Sequence, residues 1–362
     1  MYEKGGTNMK KKVLAMLMAA CMVMGMTACG SSDGGTKENA ADVTGKTENT
    51  ASESEGDAKA ATPEVTLKLG HSLAETLVAH QAMQEFADSV YEKTNGAVKV
   101  DVYANSQLGS ERDMVEGMQL GTVDMVYAST SVIANFVPDF SIFDAPFLIN
   151  SDNVWKVCDG EIGEQLSQEL LDTQKIRLIG FTDVGARDIF STKPVKEMKD
   201  FSGLKIRVME NEVHIALFNM LGAQATPMAF SELYTALQQG TVDAGENSLQ
   251  GITGSGFDDI CKYITLTEHI YAVCPLMISD ASYAKIPDEY KDIFMEEAKK
   301  CVENERKLVA EQNNEALENM KSNGCEIYEI PHEELATAVS GIYEQFSDTF
   351  PQELVKKIQE IK

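Results

Sequence analysis

Positive charge is scarce in this chain, and arginine is scarcer still. Against 57 acidic residues stand 31 basic ones, five of them arginine, for a formal charge of −26. So acidic a surface is unsuited to nucleic acid, whose binding rests on neutralising phosphates. The short patterns that mark chemistry are missing too. There is no Gly-x-Gly-x-x-Gly, no Gly-x-x-x-x-Gly-Lys-Ser/Thr and no Gly-x-Ser-x-Gly, and Gly254-Ser255-Gly256 reads as a turn. His71, His80, His214, His269 and His332 form neither His-Glu-x-x-His nor His-x-His. No metal, no cofactor and no catalytic group are therefore expected. Cysteines are few and lack Cys-x-x-Cys spacing. The five beyond residue 29 are Cys158, Cys261, Cys274, Cys301 and Cys325, an odd set that reads as buried free thiols.

Long apolar runs are also lacking, with one exception near the start. Met9–Lys12 is basic, and Val13–Met26 is an apolar run of about 14 residues, short of the roughly 20 that span a bilayer. Thr27, Ala28 and Cys29 follow. This is the pattern of a signal peptide over residues 1–28, with Met9 a better start than Met1. The small-small-Cys ending resembles a bacterial lipobox, which implies that Cys29 is lipidated and becomes the first mature residue. Residues 29–63, rich in Gly, Ser, Thr, Ala, Glu and Lys and without an aromatic, read as a flexible tether. A domain held outside the cytoplasm by a lipid anchor alone is the expectation.

About 300 residues remain, enough for two lobes of ordinary size. Val65–Leu69 alternates as a strand. An apolar stripe of Met83, Phe86, Ala87, Val90 and Tyr91 predicts a helix stopping at Asn95-Gly96. Val98, Val100 and Val102 alternate again. Ser110 then caps a helix that Gly121 ends, and Met125–Ala128 is a third strand. This β-α-β-α-β order predicts a parallel sheet. Gly-Thr-Val-Asp occurs at 121–124 and again at 240–243, each time after a helix and before a strand. Lys-Ile-Arg at 175–177 echoes 205–207. Two similarly built α/β lobes are predicted, with a long charged helix over Ile293–Met320 bracing both. Two such lobes are physically suited to a cleft that closes on a ligand.

Lysine is the ordinary surface cation here, so each arginine invites a reason. Arg306 reads as a solvated residue of the charged helix, Arg112 as a local ion-pair partner and Arg177 as a charge at a strand start. Arg187 and Arg207 lie near strands of the second half. Arg207 sits in "GLKIRV", where apolar residues alternate with Lys205 and Arg207. From the residues alone, a surface salt bridge and a two-pronged contact to a carboxylate stay equally open.

Five ordered blocks carry a resemblance: "NSQLGSERDMVEGMQLGTVDM", "FVPDFSIFDAPFL", "GLKIRV", "LGAQATPMAFSELYTALQQGTVDAGEN" and "KYITLTEH". Over about residues 65–330 the chain resembles the DctP-type solute-binding subunits of TRAP transporters. The resemblance implies an α/β, two-lobed periplasmic-binding-protein-like fold with a hinge and a long bridging helix. It implies lobe I over 64–184 plus 273–312 and lobe II over 185–272 plus 313–362, in a monomer. It implies capture of a small organic acid, a sugar acid or a C4-dicarboxylate, for delivery to an ion-gradient-driven permease. Arg207 falls on the family's main carboxylate-binding arginine, Arg187 on a second, and Asn247 on an asparagine that orients the carboxylate. Phe230 falls on an aromatic pocket position. Ser72, Glu111 and Ser129 fall on first-lobe ligand contacts, with His71 beside them. Two departures stand out. Ala244-Gly245-Glu246-Asn247-Ser248 replaces the pattern Gly-Gln-Glu-Asn-Pro, and "GARDIF" lacks the Phe or Thr usual before the arginine, which weakens the case for Arg187. A carboxylate at Glu111 suits ligand hydroxyls better than a second ligand carboxylate. The rival readings are a sensor presenting an acid to a membrane receptor, a surface enzyme on sugar acids and a structural lipoprotein.

Overall fold

The computed structural model describes residues 62–361. The signal-like run, Cys29 and nearly all of the tether lie outside them. Eleven strands occur among the described residues: β1 (Val65–Gly70), β2 (Val98–Tyr103), β3 (Met125–Tyr127), β4 (Ile176–Ala186), β5 (Asp188–Ser191), β6 (Lys205–Val208), β7 (Gln224–Pro227), β8 (Ala244–Asn247), β9 (Tyr263–Leu266), β10 (Tyr271–Ser279) and β11 (Glu326–Glu329). They build two sheets, ordered β2-β1-β3-β10-β4 and β11-β9-β5-β8-β6-β7.

Periodicity placed the early elements well. The helix Val78–Lys93 buries Met83, Phe86, Ala87 and Val90. Its stop uses left-handed backbone at Asn95 and Gly96. Ser110 caps the helix Glu111–Leu120 by exchanging hydrogen bonds with Asp113, and Gly121 ends it at φ 74°. β1, β2 and β3 are parallel, as helical crossovers require. The sheet as a whole is mixed, however, and not parallel throughout. β10 runs antiparallel to β3 and β4. The reason is the path between sheets. β4 leads straight into β5 of the second sheet, and β10 brings the chain back from β9. The two crossing strands lie side by side in opposite directions.

The repeated tetrapeptide is one device used twice. Asp124 donates its N–H to Lys68 O (3.2 Å) and accepts Lys68 N–H on its carboxylate (2.9 Å). Asp243 does the same with Lys205, at 2.7 and 3.3 Å. Each glycine has positive φ, 74° and 67°. Each aspartate thus pins the start of its strand, β3 or β8, to a neighbour, β1 or β6. The Lys-Ile-Arg echo has no such counterpart. Arg177 pairs with Asp280 and stacks on Tyr283 at 4.8 Å, far in role from Arg207.

The long helix runs over Asp288–Ser322 and packs on Val78–Lys93, on β4 and on the short helix Leu249–Gly254, so it touches both halves of the fold. Arg306 on this helix is not the solvated residue its charged surroundings suggested. Its guanidinium lies 3.9 Å from the Trp155 ring centroid, forks onto Asp159 (2.7 and 2.8 Å) and donates to Phe181 O. Arg112 pairs locally with Glu116. All five described cysteines are buried and free. The C-terminal helices reach residues 141–161 through Tyr343 Oη to Pro146 O (2.7 Å), Ser141 Oγ to Thr349 O and Lys357 to Glu161. Among the described residues no helix is long and apolar enough to cross a membrane, and no cluster of His, Cys, Asp and Glu is placed to hold a metal.

Candidate functional site

The ends of β1, β3, β6 and β8 and the β4–β5 crossing converge on a cleft whose empty space, open solvent included, is about 730 Å³. It is lined by Ser72, Glu111, Ser129, Arg187, Arg207, Phe230 and Asn247. His71, placed beside them from the sequence, is not among the lining residues. It is fully buried behind Ser72. Its Nδ1 accepts Leu73 N–H (3.2 Å), so its other nitrogen carries the proton toward His80 Nδ1 at 3.1 Å. Burial and the adjacent His80 push its pKa down to about 3.

β6 explains why Arg207 is inside. It lies between β7 and β8, with Ile206 and Val208 in the core and only Lys205 exposed. Arg207 points from the other face and is 2 % exposed. Its Nε donates to Met228 O at 2.8 Å, and its guanidinium carbon lies 5.9 Å from the Phe230 ring centroid. Among the described residues no carboxylate pairs with it. A guanidinium has five N–H groups, so four stay free of protein acceptors. Burial, with the neighbouring Arg187 adding and Glu246 opposing, lowers its pKa to about 10. It remains a cation at any ordinary pH.

Arg187 stands where the chain crosses from β4 to β5, its N–H bonded to Ile270 O. Its side chain is already engaged. Nε donates to Glu246 Oε2, Nη2 to Glu246 Oε1 (2.9 Å) and Glu246 O (2.7 Å), and Nη1 to Asn247 Oδ1 (3.3 Å). One of its five N–H groups is left. The two-pronged carboxylate pair thus forms inside the protein, at Arg187 and Glu246. Burial works against both charges, yet each partner outweighs it, holding the Arg187 pKa up and the Glu246 pKa well below the usual carboxylate range. His269 Nε2 lies 3.4 Å from Glu246, and burial keeps this imidazole's pKa low. Asn247 Oδ1 also accepts Ser248 N–H (2.9 Å). With its oxygen taken twice, Asn247 presents its amide N–H groups as donors.

The opposite wall has the reverse character. Ser72 Oγ donates to Glu111 Oε1 (2.7 Å), and Ser129 N and Oγ both donate to Glu111 Oε2 (2.9 Å each). Both hydroxyl protons are committed to Glu111. What remains are lone pairs on two serine oxygens and on Glu111 Oε1. This wall accepts hydrogen bonds, whereas the Arg207–Asn247 wall donates them.

In the sequence Glu246 appears only as a position that keeps the Glu of Gly-Gln-Glu-Asn-Pro, and nothing there shows its pairing with Arg187. Nothing there shows the buried cluster beside the cleft either. Asp144 takes Ser131 Oγ, Asn211 Nδ2 (2.9 Å) and His214 Nε2 (3.1 Å). These residues lie up to 83 positions apart, so no local spacing announces them.

Residues 69–350 match the family described as DctP, bacterial extracellular solute-binding protein, family 7. A solute-binding protein of Verminephrobacter eiseniae is 34% identical over 302 residues, 83% of this chain and 90% of its own. Among solved structures, a TRAP periplasmic solute-binding protein of a Polaromonas species, bound to D-erythronate, is 35% identical with a TM-score of 0.78, covering 82% of this chain and 99% of that one. Another, of Sulfurospirillum deleyianum with bound succinate, is 30% identical with a TM-score of 0.79, covering 83% and 100%. Two sheets bridged by a long helix, a cleft at their junction and a family match across most of the described residues agree: the chain belongs to the DctP family of TRAP periplasmic solute-binding proteins, a family of binding proteins rather than enzymes.

Proposed function

We propose that this protein captures a small hydroxylated monocarboxylate of the sugar-acid type between two closing lobes and hands it to the permease subunits of a TRAP transporter. The moving bodies are residues 64–184 plus 273–312 and residues 185–272 plus 313–362, and Cys29 carries a lipid that tethers both to the membrane. The observation that carries the reading is Arg207, a buried cation lining the cleft with four N–H groups free of acceptors among the described residues. Its Nη1–Nη2 edge suits a carboxylate held by two parallel bonds. The Asn247 amide adds a donor. Charge-assisted hydrogen bonds contribute about 1.5–3 kcal/mol each. Two of them with one amide bond supply much of the roughly 8 kcal/mol of a micromolar complex.

The ligand's other end meets Ser72, Ser129 and Glu111. Groups that only accept favour ligand hydroxyls, which donate. A second carboxylate there would face Glu111 and find no proton. Glu246 argues the same way, since it neutralises Arg187 and leaves one net positive charge, on Arg207, at the donor wall. The Polaromonas relative with D-erythronate fits this reading. The relative with succinate supports a dicarboxylate alternative, which Glu111 disfavours. Calorimetry with D-erythronate, D-glucuronate, galactonate and succinate tests it. A hydroxylated acid is expected to bind the wild type better than succinate, and Arg207→Ala to abolish that binding. Unchanged affinity in Arg207→Ala overturns the site assignment.

A further inference from the structure

Leu77 is buried, 1 % exposed, yet it belongs to none of the three hydrophobic cores of the described residues. It lies between the loop that carries Ser72 and the helix Val78–Lys93, and it lines the cleft. Close against it lies Gly254, the last residue of the helix Leu249–Gly254, about 180 positions along the chain and on the other side of the cleft. A Cβ on Gly254 would lie 2.1 Å from Leu77 Cδ2 and 2.9 Å from Leu77 Cγ. Turning the end of the leucine therefore does not make room, because Cγ itself is too close. Beside it, Thr76 Oγ1 donates to Gly254 O at 3.1 Å. Gly254 does not have the positive φ that would make glycine necessary for backbone reasons. The requirement at this position is the seat for Leu77.

We propose that Leu77 on Gly254, with the Thr76–Gly254 hydrogen bond, is the latch that seals the closed cleft and sets how long a bound acid stays. The proposal rests on the reading that the lobes close on a ligand. The latch joins the β1–helix loop of one lobe to the helix following Asn247 in the other. Both segments carry ligand-facing residues, Ser72 and Gln250 among them, so closing the latch and completing the site are one movement. Opening it exposes a leucine side chain to water. Burial of that side chain is enough to shift an equilibrium roughly 10- to 100-fold.

The test is stopped-flow dissociation of D-erythronate, with D-glucuronate, galactonate and succinate alongside. Gly254→Ala is expected to raise koff roughly 10- to 100-fold and to change kon much less. The ligand-free protein should melt at the same temperature or higher, because alanine favours a helix over glycine. That opposition of signs separates a latch from ordinary packing, where lost fit lowers both. In a Leu77→Ala background, Gly254→Ala should add nothing to koff, since the atoms it strikes are gone. An unchanged koff in Gly254→Ala, or the same effect with and without Leu77, overturns the latch and leaves the carboxylate reading intact. A wild type that binds none of these acids overturns that reading and the latch together.

Discussion

Arg187 and Arg207 show how much a residue's neighbours decide. Both are arginines near strand ends of the same sheet, and both are buried. One is spent on Glu246 and the other faces the cleft with most of its donors free. Beside Arg187, Asp188 accepts Thr267 N–H (2.8 Å) and Glu268 N–H (3.0 Å) on one oxygen. Burial nevertheless pushes its pKa from 3.8 up to about 7. Asp183, in the crossing strand β4 that leads into β5, is pushed up by burial to about 6. The sign follows from proton binding. Between about pH 4 and the raised values, the folded protein holds protons that the unfolded chain has lost, so stability falls as pH rises. Asp188→Asn keeps the acceptor oxygen and removes the titration. Its stability relative to wild type is expected to grow as pH rises from about 5 to 7, as read by denaturant unfolding at each pH. A difference independent of pH would show that Asp188 titrates normally in the folded state.

At the scale of elements, the long helix braces the two crossing strands where their ladder is irregular. The ladder between β4 and β10 shifts register at Ala272/Val273, where Val184 is left without a partner. Asn313 of the long helix supplies one, donating to Val184 O at 3.1 Å and accepting Gln250 N–H at 3.0 Å. One side chain thus holds the bulge in β4 and the start of the helix that carries the latch. Gly185 has φ 99°, and a Cβ there would lie 2.5 Å from Asn313 Nδ2, so the glycine allows both the bulge and the close approach. Asn313→Leu leaves a carbonyl and an N–H unpaired, at about 1–3 kcal/mol for each buried group. Hydrogen exchange is expected to speed up selectively at Gln250 and at residues 184–187. Uniform acceleration across the chain would show that the clamp is not local. The helix itself was legible in its charged, helix-forming composition. Arg306 was misread because a charged helix does not show which of its faces meets Trp155.

At the scale of the molecule, one body carries two sheets and a cleft, and two of the five arginines line that cleft. The exterior is strongly acidic, and the donor wall inside keeps a net positive charge. The proposed lipid anchor belongs to this scale too, because it would set where the cleft meets a permease. Cys29→Ser is expected to move the protein from the membrane fraction to the soluble fraction, with ligand affinity unchanged in calorimetry. A variant that stays on the membrane would show that something other than a lipid on Cys29 holds it there.

The sequence by itself determined the local grammar. Period-two runs placed β1 and β2, a 3.6-residue stripe placed Val78–Lys93, and Ser110 and Gly121 bounded a helix, because each rests on contacts within a few residues. Gly-Thr-Val-Asp marked the same strand-pinning device in both halves, and the ordered blocks carried a family resemblance that pointed to seven residues lining the cleft, four of them within the blocks. Only the tertiary structure decided the pairings across distance. It made the sheets mixed, because the chain crosses between them twice. It gave Glu246 to Arg187, placed His71 behind the cleft, and set Leu77 on Gly254. In "GLKIRV" the alternation was visible from the start. Only the structure shows that Arg207, on the face that period two marks as polar, is buried beside Met228 and Phe230 and lines the cleft.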